Sequence, residues 1–148
     1  MLAIGCDHGG FNLKPVIIKY LEEHKIQYKD FGTFDSASCD YPDYALKVAE
    51  AVASGECDRG ILICGTGIGV SIAANKVKGI RAALCGDVFS AKATRAHNNA
   101  NILTIGERVT GPGLALEIVD AFLNTGFDGG RHAVRVNKIT EIENKYFK

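Results

Sequence analysis

Short apolar runs alternate with longer amphipathic ones from end to end, and this alternation constrains the architecture more than any other feature. Residues 1–6, MLAIGC, read as a buried first strand. Leu13, Val16, Ile17, Tyr20 and Leu21 then recur at helical spacing, and Pro15 fits a first helical turn, where no intrahelical N–H is lost. IQYKDFG is a second, weaker strand. DYPDYALKVAEAVASGE is a second helix that starts at Pro42 or Asp43 and stops at Gly55. RGILIC, GIRAALC and NILTIG supply strands three, four and five. Between them lie a short helix, VSIAANKVK, and a longer one, DVFSAKATRAHNNA, opened by Asp87. GPGLALEIVDAFLNTG follows as a helix with Pro112 near its start and Gly126 past its end. Beyond the last strand, Val134, Ile139, Ile142 and Tyr146 again fall at roughly helical spacing, on a segment placed to reach a partner subunit.

Alternation this regular implies an α/β fold with a five-stranded parallel sheet covered by helices on both faces and joined by right-handed crossovers. No linker, repeat or low-complexity segment divides residues 1–148, so one domain is expected, and 47% hydrophobic content is enough for one core. A formal net charge of zero argues against a broad grip on nucleic acid or an anionic membrane surface. No apolar run is long enough to span a bilayer. The N-terminus lacks the basic-then-apolar order of a signal peptide, and the five cysteines are an odd number, so they read as reduced thiols of a cytoplasmic protein. No CxxC, HxH or HExxH is present, and no metal is expected.

In such sheets the binding crevice lies at the carboxyl ends of the strands. Reactive residue types gather there: Cys6-Asp7-His8 after strand one, Asp40 and Tyr41 in the polar loop after strand two, Cys64 and its glycines after strand three, Asp87 after strand four, Arg108 after strand five. Gly65, Gly67 and Gly69 let the backbone turn tightly and aim N–H groups at an anion, ahead of a helix N-terminus. The loop is neither a Walker A motif nor GxGxxG, since Val70 stands at the third glycine position. Asp87 stands where a ribose-binding acid would in a dinucleotide fold, so a nucleotide-binding module is one alternative reading. Cys6, Cys57 and Cys85 read as small core hydrophobes, but Cys64 faces amides that favour a thiolate. Spacing alone does not choose between nucleophile and base. His8, directly after a strand, and His97, in TRAHNNAN, are both candidate acids or bases, whereas His24 reads as surface. Arg131 and Arg135, four apart on one helix face, suit bidentate contact with a phosphate.

Taken in order, GCDHGGF, DYPDYA, GILICGTGIGVSIAANK, GIRAAL, HNNAN, GERV and GGRHAVRV resemble the type B ribose-5-phosphate isomerases, a superfamily shared with galactose-6-phosphate isomerase subunits. The resemblance runs from residue 3 to about residue 142. It implies a Rossmann-like α/β/α sandwich, a C-terminal helix packed on a partner subunit, a homodimer or tetramer of dimers, and sites shared across the dimer interface. It implies interconversion of D-ribose 5-phosphate and D-ribulose 5-phosphate without metal or organic cofactor. Cys64 would be the base that moves a proton between C1 and C2, and the amides of Gly65, Gly67, Ile68 and Gly69 would hold the enediolate. His97 from the partner would open the furanose ring, with Thr66 assisting. Asp7, His8, Tyr41 and Asn98 would line the sugar, and Arg108, Arg131 and Arg135 would hold the phosphate. Relatives that lack the cysteine use a carboxylate elsewhere. Hexose 6-phosphates such as allose 6-phosphate or galactose 6-phosphate are alternative substrates, with weak turnover of unphosphorylated sugars such as allose and psicose. A non-catalytic subunit of a hetero-oligomeric isomerase is the remaining alternative, opposed by the full set of Cys64, His97 and the three arginines.

Overall fold

The computed structural model describes all residues 1–148. Five parallel strands form one sheet in the order β2-β1-β3-β5-β4. They are β1 (Leu2–Cys6), β2 (Tyr28–Asp30), β3 (Arg59–Cys64), β4 (Ala82–Leu84) and β5 (Ile102–Gly106). Six helices connect and flank them: α1 (Leu13–Glu23), α2 (Tyr41–Ala53), α3 (Ile68–Ala74), α4 (Val88–Asn98), α5 (Pro112–Asn124) and α6 (Arg131–Tyr146). A single 3-10 turn, His8–Gly10, lies between β1 and α1.

Strand periodicity sorts the core into two layers. Leu2, Ile4, Cys6, Ile61, Ile63, Leu103 and Ile105 face one side, where Ile17 and Leu21 of α1 and Ile118 and Phe122 of α5 cover them. Ala3, Leu62, Cys64 and Ile102 face the other side, under Val48 and Val52 of α2 and Val70 of α3. Strands β1, β3 and β5 are buried on both faces, which is why they read as unbroken apolar runs. The second layer is thinner at one point. A Cβ added at Gly5 would come within 2.9 Å of Val48, and one at Gly60 within 2.7 Å of the same side chain, so α2 sits closer to the sheet there than any side chain on those strands would allow.

The edge strands are shorter than the sequence reads. IQYKDFG yields only Tyr28–Asp30, and GIRAALC only Ala82–Leu84, because each pairs on one side alone, three residues deep. Helix α3 begins at Ile68, two residues before the expected start, with Gly67 as its left-handed N-cap at φ 80°. Helix α6 forms as expected, but Val134, Ile139, Ile142 and Tyr146 stand exposed and only Val136 is buried.

Candidate active site

The connections from β1 lead outward to β2, and those from β3 lead across the sheet the other way, so the chain reverses direction between β1 and β3. A crevice opens at such a switch point, beyond the carboxyl ends of the strands. Two loops meet there at a separation that only glycine permits. A Cβ at Gly10 would lie 2.6 Å from the Ile63 carbonyl oxygen, and one at Gly9 would lie 2.9 Å from the Gly65 nitrogen. Asp7, buried, holds the first loop by accepting the Gly9 N–H at 2.9 Å.

Cys64 is the last residue of β3, and its residue exposure is 6%. The Gly67 N–H donates to its Sγ at 3.0 Å, a hydrogen bond that a thiolate accepts more strongly than a thiol. The left-handed turn at Gly67 aims that amide, and it is fixed from behind, where the buried Thr104 hydroxyl of β5 donates to the Gly67 carbonyl at 2.8 Å. A Cβ at Gly67 would meet Leu84 Cδ1 at 2.5 Å and the Ile105 carbonyl carbon at 2.9 Å. Cys6 and Cys85 lie in one apolar layer of the core, and Cys57 in the other. Burial pushes Cys6 and Cys85 up to about 11 and raises Cys57 as well, as expected of core hydrophobes.

The remaining groups of this edge surround Cys64. Arg108 runs across Gly65: its N–H donates to the Gly65 carbonyl, and a Cβ on Gly65 would reach its Nη1 at 3.1 Å. The Tyr41 ring lies over Gly69, where a Cβ would come within 2.6 Å of it. Thr66 and Ile68 are exposed at the mouth, and the Thr66 hydroxyl accepts the Ile68 N–H. His8 accepts the Cys39 N–H on Nδ1 at 3.2 Å, so a neutral His8 carries its proton on Nε2. That contact also places loop 33–40 on the border of the crevice. Glu107 ties the edge to α1 by accepting the Leu13 N–H.

His97, Asn98, Arg131 and Arg135 do not join this group within one chain. Helix α4 starts at the carboxyl edge and returns to the opposite one, because β5 must begin there; the Asn99 carbonyl accepts from Arg81 just ahead of β4, and the Asn101 carbonyl accepts the Gly60 N–H. A five-residue strand separates the two edges by about 16 Å. At the far edge His97 stacks on His132 of α6 with ring centroids 4.2 Å apart, and Asp128 lies 4.0 Å from the His97 Nε2. Arg131 and Arg135 project from the first turns of α6, exposed, after Gly129 and Gly130 at φ 69° and 55°. Partial burial, with the stacked His97 ring and Arg131 alongside, holds the His132 imidazole below its ordinary 6.5.

Asp87 and His24 have plain structural places. Asp87 caps α4, accepting both the N–H and the hydroxyl of Ser90, so the carboxylate weighed as a ribose ligand is engaged by the helix it opens. His24 is exposed at the end of α1. Thr104, Asp128 and His132 were missed in the sequence. Thr104 had a signal, a hydroxyl inside an apolar strand that must find a partner. Asp128 and His132 had none, since no ligand spacing links them to His97.

A family profile described as Ribose/Galactose Isomerase matches residues 2–139. Ribose-5-phosphate isomerase B of Escherichia coli is 54% identical over 144 residues, covering 97% of each chain. The structure of Clostridium thermocellum ribose-5-phosphate isomerase B superposes with a TM-score of 0.97 at 61% identity over 98% of both chains. That of ribose-5-phosphate isomerase B from Mycoplasma genitalium, with bound ribulose 5-phosphate, superposes with a TM-score of 0.93 at 42% identity, covering 97% of this chain and 96% of its own.

Proposed function

The chain belongs to the ribose/galactose isomerase family, and on that premise we propose that it interconverts D-ribose 5-phosphate and D-ribulose 5-phosphate in the cytoplasm, as a homodimer with shared sites. The observation that carries the reading is the Gly67 amide donated to Cys64 Sγ at the carboxyl end of β3. A base there must be weak enough to survive at neutral pH and poised enough to take a proton from carbon.

In this reading the furanose opens first. A proton passes from the O1 hydroxyl to the ring oxygen through His97, with Thr66 assisting, and the bond from C1 to the ring oxygen breaks. The Cys64 thiolate then removes the proton from C2, and the electron pair runs to O1. The cis-enediolate is held by amides of the loop 65–69 at the N-terminus of α3, where the Gly67 N–H donates to Cys64 Sγ and the Ile68 N–H to Thr66 Oγ1 before substrate arrives. Cys64 returns the proton to C1 as the O2 proton moves to O1, leaving the C2 carbonyl. Arg108 from one subunit and Arg131 and Arg135 from the other bind the phosphate, whose remote binding energy positions the reacting carbons. Asp7, His8, Tyr41 and Asn98 line the sugar. Each group of the set acts on the substrate directly, so neither metal nor organic cofactor is required.

The test compares wild type with Cys64→Ala, following ribulose 5-phosphate formation from ribose 5-phosphate with EDTA present. Wild-type turnover survives chelation, and kcat in the variant falls about 10³-fold with an unchanged circular dichroism spectrum. Turnover retained in the variant would move the base elsewhere. No wild-type turnover would turn the assay to hexose 6-phosphates and the corresponding unphosphorylated sugars.

A further inference from the structure

At the far edge His97 has two neighbours, Asp128 and His132, to which the isomerase chemistry proposed above gives no part. His97, Asp128 and His132 each offer a ligand atom, and these atoms all lie within 4.8 Å of one another. Their backbones are fixed: His97 in the last turn of α4, His132 in the first turn of α6, and Asp128 between them, its N–H donated to the Ala96 carbonyl at 3.0 Å. Their side chains are not. His97 and Asp128 are 49% and 61% exposed, so rotation about χ1 and χ2 is open to both.

We propose that His97, Asp128 and His132 form a site for Zn²⁺ or a similarly borderline-soft divalent cation, and that occupying it switches off the isomerase by engaging the imidazole of His97. Ligand atoms on one tetrahedral zinc stand about 3.4 Å apart, set by Zn–N and Zn–O bonds of about 2.1 Å. From separations of at most 4.8 Å, the three groups close by no more than about 1.4 Å, within the reach of their side chains, two of which are exposed. Two imidazoles and one carboxylate select zinc, copper or nickel over magnesium and calcium, and three protein ligands leave a fourth position to water. Stacked rings must tilt to converge on one ion, and Arg131 and Arg135 stand close enough to repel a dication. Both features make this a weak, reversible site rather than a structural one. The inhibition half of the proposal rests on the role of His97 proposed above; the binding half does not.

Binding and inhibition are therefore measured separately on the full-length protein. Zn²⁺ is titrated by calorimetry into a Cys39→Ser/Cys64→Ala background, which removes the two thiols of the crevice as competing ligands. One ion per chain is expected at micromolar affinity, weakened about tenfold or more by His132→Gln and by Asp128→Asn. Co²⁺ in the same background should give the visible spectrum of a nitrogen- and oxygen-ligated tetrahedral ion, lost in both variants. In the cysteine-intact protein, Zn²⁺ should inhibit reversibly with relief by EDTA, Mg²⁺ should not inhibit, and the half-inhibiting Zn²⁺ concentration should rise about tenfold in each variant on whatever turnover it retains. Zinc binding that is unchanged in both variants, or absent once the cysteines are removed, overturns the site. Intact binding with undiminished turnover overturns the switch alone. Absence of turnover in metal-free wild type would instead sink the isomerase reading and leave the binding result standing.

Discussion

At the scale of single residues, the crevice depends on a few positions where nothing else fits. Gly67 is the sharpest case, because it turns through a left-handed conformation, aims its N–H at Cys64, and has no room for a methyl group against Leu84 and Ile105. Gly67→Ala should destabilise the fold by at least about 2 kcal/mol, measured by urea unfolding, from the left-handed strain and the clash together. Its kcat should fall more than its KM rises, since the misplaced amide serves the reacting carbons and not the phosphate. A variant as stable as wild type would show that the turn relaxes freely. Cys64 and Gly67 were legible in the sequence by address alone, a thiol and a glycine where an apolar strand ends. Thr104 supports the same turn from the next strand, and its partner was not legible because β3–β5 pairing brings together residues 37 apart.

At the scale of elements, boundaries follow the capping chemistry. Asp87 opens α4 by accepting from Ser90 twice, and those hydrogen bonds hold its carboxyl below the ordinary 3.8. A group depressed on folding stabilises the native state above its unfolded pKa, and the contribution is lost as pH falls through the folded value. Asp87→Ala should therefore lower Tm by a few degrees at pH 7, and the gap to wild type should narrow as pH falls below 3.8. A gap that persists at acid pH would assign the loss to something other than the charged cap. Every helix and strand was legible from periodicity, proline and glycine, because each of those signals is local. The order of the strands was not. β5 slips between β3 and β4, and nothing in three similarly apolar runs says which neighbour each will take. The shortness of β2 and β4 was hidden for the same reason, since an edge strand is defined by the neighbour it lacks.

At the scale of the whole molecule, one sheet holds Cys64 and Arg108 at one edge and His97, Arg131 and Arg135 at the other. A two-fold dimer that sets opposite edges together would build two composite sites. Cys64→Ala and His97→Asn subunits, each inactive alone, should then regain about one quarter of wild-type turnover when unfolded together and refolded in equal amounts: half the dimers are mixed, and each mixed dimer has one intact site. No recovery would place both residues in the same chain's site. The exposed Val134, Ile139, Ile142 and Tyr146 of α6 give such a dimer an apolar surface to cover. If the two edges meet only in the dimer proposed above, abundance becomes an input to the chemistry. A chain diluted well below its dimer dissociation constant would keep thiol and amide in place, yet lose its turnover. Specific activity should then climb with protein concentration before it levels, so that a cell halving its supply of this chain would lose more than half of the flux.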